Sequence, residues 1–337
     1  MIMGKFDKIP FYEPGKPPRT DLLATIDFRD EIEQTWGKKW GAQSQLGKLR
    51  MALVSRPTEN ELCEEAREDP VHFLLPEGLP DLNVMKKQHD ALVKVLKNHG
   101  VEVHYLEPPE KAYGPYSRMR MLWATASAFV INGGAIIPRY GLAPWRRGPE
   151  VLLTKKLVEL GCPILYTIHG KGVLELGGNG IWLDPRHLLI GIGPSGNLDA
   201  VEQVKGVFHR AGVEEIHLAY FTKAIHLDLV FGLADAWLGV VDKRHLNHET
   251  IVYLTRKGIK LLEVPPEECE NSGCNLLALE PGKVIIPAGC PVTTERLRKE
   301  GVTVIELEMS EFVKTGGAAH CAVAELIRDP GPFLPEK

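Results

Sequence analysis

No stretch of this 337-residue sequence approaches the ~18 consecutive apolar residues of a membrane-crossing helix, so no membrane partner is expected. Basic charge is not in excess either. There are 40 Lys and Arg against 44 Asp and Glu, a net charge of −4. Proteins that grip nucleic acid or an anionic membrane surface are usually basic, so neither is expected here. Six cysteines stand at positions 63, 162, 269, 274, 290 and 321, with no Cys-x-x-Cys pair and no His/Cys cluster of zinc-finger spacing. No metal and no other cofactor is therefore expected. Residues 1–20 carry no apolar signal core, which reads as a cytoplasmic protein whose thiols stay reduced. The Cys269–Cys274 pair is then incidental.

What is present is ordinary for a globular protein: 44% apolar and 25% charged residues, in a chain long enough for one large domain or two small ones. Residues 1–45 are polar and begin proline-rich. They read as an arm lying over the single domain formed by 46–337. The first clear strand is Met51–Ser55. Beyond it, one pattern recurs five times: a helix end, a glycine and an apolar strand. The glycines are Gly100, Gly161, Gly212, Gly258 and Gly301, at intervals of 43 to 61 residues. A glycine just past a helix end is the expected stop, and the alternating residues after it predict a strand. Three hairpins lie between these segments, turning at Asn132-Gly133, Asp184-Pro185 and Pro281-Gly282. Each unit thus reads strand–turn–strand–helix–strand. One unit cannot bury its apolar face alone, whereas five around an axis can, as in a propeller. The predicted fold is an α/β propeller of five ββαβ units around a central channel. The alternative is an open α/β sheet.

Chemistry concentrates near the end of the chain, in Gly316-Gly317-Ala318-Ala319-His320-Cys321. Glycines let the backbone turn tightly, and a cysteine beyond such a turn can present its sulfur to a cavity. It can equally be a small buried residue opening a core strand. Similarly, His226 in His226-Leu227-Asp228 can be a base or a satisfied core histidine, and Asp228 alone can be a turn cap.

Together these stretches resemble the guanidine-modifying pentein superfamily of arginine deiminases, dimethylargininase-like hydrolases and amidinotransferases. Gly316–Cys321 resembles the family's Gly-Gly-x-x-His-Cys turn, and His226-Leu227-Asp228 its His-Leu-Asp motif. Leu176-Gly177-Gly178-Asn179 stands where the family has Glu-Gly-Gly-Asp. Trp123–Phe129 stands where it has an aromatic-Thr-Arg-Asp segment. The resemblance implies a pentein fold, a covalent adduct on Cys321 and a small-molecule substrate attacked at a planar carbon bonded to nitrogen. It also implies a homodimer. His226 would lower the thiol pKa and serve as acid and base across the channel from Cys321. Asp228, two residues along an extended strand, would hold a substrate N–H. His320 would point away and be structural.

The departures from the pattern bear on the substrate. The family's guanidinium-gripping acids fall on Ala126 and Leu176, its second motif acid on Asn179, and its carboxylate-binding Arg near Ser195. Glu175 lies one place off and would face the other side of a strand unless a bulge turned it inward. Arg139 and Arg146-Arg147 survive upstream. A buried guanidinium without acidic partners is unfavourable. Asp228, Asn179, Trp123, Ala126, Leu176 and Arg139 would therefore bind a neutral or weakly charged substrate, such as an amidine or a nitroimidazole ring. The expected activity is hydrolysis of a carbon–nitrogen bond. Transfer of the carbon to an amine is the nearest alternative, and a non-catalytic pentein is the third.

Overall fold

The computed structural model describes residues 13–20, 27–59, 64–73, 75, 78–108, 121–123, 127–141 and 147–334. Their strands form five sheets of three, each with its middle strand antiparallel to one neighbour and parallel to the other. In the first sheet β1 (Leu49–Val54) runs parallel to β2 (Glu102–Tyr105). The second holds β3 (Phe129–Ile131), β4 (Gly134–Ile137) and β5 (Ile164–Thr167). The third holds β6 (Gly180–Asp184), β7 (His187–Ile192) and β8 (Glu215–Tyr220). The fourth holds β9 (Phe231–Asp235), β10 (Leu238–Val241) and β11 (Lys260–Glu263). The fifth holds β12 (Leu277–Glu280), β13 (Lys283–Pro287) and β14 (Thr303–Leu307). The C-terminal β15 (Ala324–Arg328) then pairs antiparallel with β1, so both ends of the chain complete the first sheet.

A helix links the two parallel strands of each sheet. The Leu82–Asn98 helix starts where Asp81 accepts the backbone N–H groups of Asn83 and Val84, and it buries Met85, Leu92, Val93 and Leu96. The Leu198–Arg210 helix is capped by Asn197 and buries Val201, Val204 and Phe208 on one face. All five marker glycines lie in the left-handed region, with φ between 79° and 96°. The helix stops and the strands that follow therefore stand where the sequence pattern puts them. The hairpin β9–β10 and the closing pair β15–β1 complete the set of five.

Packing explains why the inner strands read as continuous apolar runs. Each is wedged between two neighbouring sheets and buried on both faces. Ala52 and Val54 of β1 pack with Leu277 and Leu279 of the fifth sheet, while Met51 and Leu53 pack with Val130 and Ile137 of the second. Phe129 and Ile131 turn the other way and meet Trp182 and Ile190 of the third, with the Phe129 and Trp182 rings stacked at 5.5 Å. Ile181 and Leu189 continue into a cluster with Phe231, Val240, Val284 and Ile286. The five sheets thereby close into a ring.

Arg328, at the end of β15, fastens this closure. Its side chain is fully buried and donates to Gly47 O and Ala278 O, both at 2.6 Å, and to Glu325. Arg328→Met is expected to lower unfolding free energy by about 3–5 kcal/mol, the usual result of removing one member of a buried pair. Equilibrium urea unfolding checks this, and a loss under ~1 kcal/mol would contradict a role in closure.

Candidate active site

The cysteine turn is assembled from two units. After the short helix Ser310–Val313, Gly316 takes a φ of 92° and Gly317 follows. A β-carbon on Gly317 would lie 3.0 Å from Cys321 Sγ and 3.1 Å from the Trp123 ring, so only glycine admits both. Trp123 is itself held edge-on against Phe312, at 5.8 Å. Asn275, fully buried just before β12, clamps the turn. Its Oδ1 accepts the N–H groups of Ala318 at 3.1 Å and Cys321 at 3.2 Å, and its Nδ2 donates to Cys321 Sγ at 3.0 Å. Cys321 lies in a turn before β15 rather than at the start of a strand.

The thiol donates to Asp228 Oδ2 at 3.3 Å. Burial pushes the Cys321 thiol well above its ordinary pKa, and the Asp228 charge adds to that. The Ala318 backbone and the Asn275 amide oppose both more weakly. Burial and the Asp228 charge both favour the thiol over the thiolate. Its hydrogen-bonding neighbours are an amide and a carboxylate.

His226-Leu227-Asp228 is not a strand. Leu227–Leu229 forms one 3-10 turn, so the same-face rule for residues two apart does not apply. His226 Nε2 lies 2.9 Å from Glu175 Oε2, and Glu175 Oε1 accepts Gly141 N–H at 3.0 Å. Gly178 lies so close that a β-carbon there would come within 2.5 Å of the His226 ring. Leu227 N–H is held by Asn179 Oδ1 at 3.1 Å. Asp228 Oδ2 meets His320 Nδ1 at 2.8 Å as well as the thiol, while Asp228 Oδ1 is buried with no hydrogen-bond partner among the described residues.

These positions correct several sequence expectations. Glu175 enters the site because Leu176–Asn179 is a short helix, and its carboxylate reaches His226 without any bulge. Leu176 is packed in the core with Trp182 and Ile190 instead of facing a substrate. Asn179 spends its amide on Leu227 N–H and on Ser195, to whose Oγ it donates at 2.9 Å, and so ties the histidine turn to the third sheet. Ser195 Oγ in turn donates to Ile225 O. Arg139 donates to Gly172 O. His320 points toward Asp228, not away from it. Ala126 and Arg146 lie outside the described residues. Sequence reasoning missed Asn275, although a lone amide inside the run Cys274–Leu279 was its signal. Among the described residues, no group of three His, Cys, Asp or Glu is arranged to hold a metal ion, and no helix is long and apolar enough to cross a membrane.

Comparison with known proteins places this geometry. The family model described as arginine deiminase matches residues 238–328, the stretch holding Asn275 and Cys321. The 2-nitroimidazole nitrohydrolase of Mycobacterium sp. (strain JS330) is 28% identical, over 98% of this chain and 93% of that protein. An uncharacterized protein of Aeropyrum pernix is 31% identical, over 69% of this chain and 81% of its own length. Among solved structures, a dimethylarginine dimethylaminohydrolase from Pseudomonas aeruginosa has a TM-score of 0.64 at 22% identity, covering 82% of this chain and 98% of that one. The N-terminal domain of a cyanobacterial arginine dihydrolase has a TM-score of 0.69 at 19% identity, covering 86% of this chain and all of that one. Both are similar to this chain in fold. The chain belongs to the guanidine-modifying pentein superfamily, as a divergent member.

Proposed function

We propose that this protein is a cysteine hydrolase that displaces a nitrogen group from an amidine-like carbon, with 2-nitroimidazole-type rings as its substrate class. The observation that carries the reading is the sulfur of Cys321, held between the Asn275 amide and the Asp228 carboxylate, with a His226–Glu175 pair two residues from that carboxylate. The relative that hydrolyses 2-nitroimidazole, similar over 98% of the chain, supports the choice of substrate.

In this reading Asp228 Oδ1, the partnerless oxygen, accepts the ring N–H, and the Trp123 face lies along the flat ring. Cys321 attacks C2, the C2–S bond forms and the C2–nitro bond breaks. Nitrite leaves with the electron pair, and the thiol proton passes to solvent by way of Asp228 Oδ2, the oxygen it is bonded to. Asn275 N–H holds the sulfur while it carries charge. His226, kept in orientation by Glu175, then takes a proton from water as its oxygen attacks C2. The C2–S bond breaks, the thiol regains its proton, and the products are the ring-hydroxylated tautomer of an imidazolone, nitrite and one proton.

The same site suits arginine poorly. A guanidinium offers five N–H donors. Glu175 has both oxygens engaged and the Ser195 hydroxyl is taken, so among the described residues of the site Asp228 Oδ1 is the acceptor left over.

Three outcomes are expected. Cys321→Ser loses turnover, because a serine hydroxyl is far harder to ionise than a thiol and the carboxylate it would meet, Asp228 Oδ2, is too weak a base to deprotonate it. More than about a tenth of wild-type activity left in the variant, a gap of only ~1.4 kcal/mol, would rule out the covalent route. Asp228→Asn alkylates faster at neutral pH in the absence of substrate. The charge that raises the thiol pKa is gone, so the thiolate fraction rises about tenfold per unit of pKa lost. Its kcat/KM falls nevertheless, for want of the N–H acceptor. Finally, nitrite is released from 2-nitroimidazole, while kcat/KM for arginine is lower by roughly 10³, from two unmet donors at ~2 kcal/mol each. Arginine turned over at ~10⁴ M⁻¹s⁻¹ would defeat the reading.

A further inference from the structure

A line of contacts reaches the cysteine from outside the five units. Residues 40–47 are buried against the ring: Trp40 O accepts Gly133 N–H, Ala42 N–H donates to Val130 O, and Ser44 Oγ donates to Gly331 O. This segment brings Gln45 to within 2.8 Å of His320, amide Nε2 to ring Nε2. The other ring nitrogen, Nδ1, meets Asp228 Oδ2 at 2.8 Å, and that same oxygen accepts the Cys321 thiol. Gln45, His320, Asp228 and Cys321 are all more than nine-tenths buried. A cavity of ≈ 20 Å³, space for about one water, lies against Gln45, His320 and Glu325.

The ring's charge depends on Nε2. Asp228 accepts from Nδ1, so that nitrogen carries a proton. With a lone pair on Nε2 the ring is neutral and accepts the Gln45 N–H. With a proton there the ring is an imidazolium and needs an acceptor, which a half-turn of the same amide supplies. Among the described residues Gln45 is the one group bonded to Nε2. The charged groups around the ring are Asp228, Glu325 and Arg328. Burial opposes charge on the ring, yet the Asp228 bond and the acidic charges outweigh it and raise the His320 pKa. A neutral ring leaves the Asp228 charge uncompensated beside the thiol and opposes a thiolate. An imidazolium offsets that charge and favours one.

We propose that Gln45 is a positioning residue for the reaction: it sets the charge of His320 and, through Asp228, the pH at which Cys321 ionises. The proposal rests on the reading of Cys321 as the nucleophile.

The test is the pH profile of iodoacetamide alkylation at Cys321, read by peptide mass spectrometry on the full-length protein without substrate. Gln45→Glu supplies a permanent acceptor and is expected to move the profile down by about one pH unit. Gln45→Leu leaves an imidazolium unsatisfied and is expected to move it up. His320→Asn moves it up too, and in that background Gln45→Leu adds no further shift. Wild-type profiles for both Gln45 variants, shifts in the same direction, or a Gln45→Leu shift that survives in His320→Asn would overturn the proposal. If Gln45→Glu does not fold, the Gln45→Leu and His320→Asn pair decides alone. Alkylation is read without turnover, so failure of the hydrolase reading, seen as turnover kept by Cys321→Ser, is a separate result.

Discussion

A carboxylate buried against a thiol is the interaction on which the site depends. Asp228 Oδ2 sits 3.3 Å from Cys321 Sγ, with a third residue, His320, on the same oxygen. A negative charge there works against a nucleophilic thiolate, and burial works in the same direction. Such a placement is useful only if something later offsets the charge. A substrate N–H on the free Asp228 Oδ1 is one candidate and a charged His320 is another.

The ring of sheets makes this encounter possible. Asp228 and His226 stand on the turn before β9, Asn275 before β12, and Cys321 before β15, so the residues come from successive units. No single unit could assemble them, and each sheet is held by apolar faces on both sides. Closure through β15 and β1 therefore matters for chemistry as well as for stability. It fixes the cysteine turn against its neighbours, and Arg328 ties that closure to Gly47 and Ala278. The buried stretch 40–47 adds a contact from outside the units, on the far side of His320.

Much of the fold was legible in the sequence, because its signals are local. A glycine at a helix end has to adopt the left-handed conformation whatever surrounds it, and Gly100 through Gly301 all do. The cysteine and histidine motifs were equally visible. The supporting residues were not, and the reason is geometric. Reading faces by alternation assumes an extended backbone. Glu175 begins a short helix and Asp228 lies in a 3-10 turn, so parity misplaced Glu175 and gave His320 the wrong direction. Asn179 looked like a substrate ligand, but its partners Leu227 and Ser195 are brought to it by tertiary packing. Gln45 and Asn275 act across 275 and 46 residues of chain, beyond the reach of local pattern.

The most direct test of the central claim is to trap the adduct. The enzyme is mixed with 2-nitroimidazole, quenched in acid during turnover and digested, and the peptide carrying Cys321 is weighed while nitrite is counted. An imidazolyl group on Cys321, formed with one nitrite per adduct in the first turnover, is the predicted result. Nitrite released with Cys321 unmodified at every time point, or the ring found on another cysteine, would contradict it.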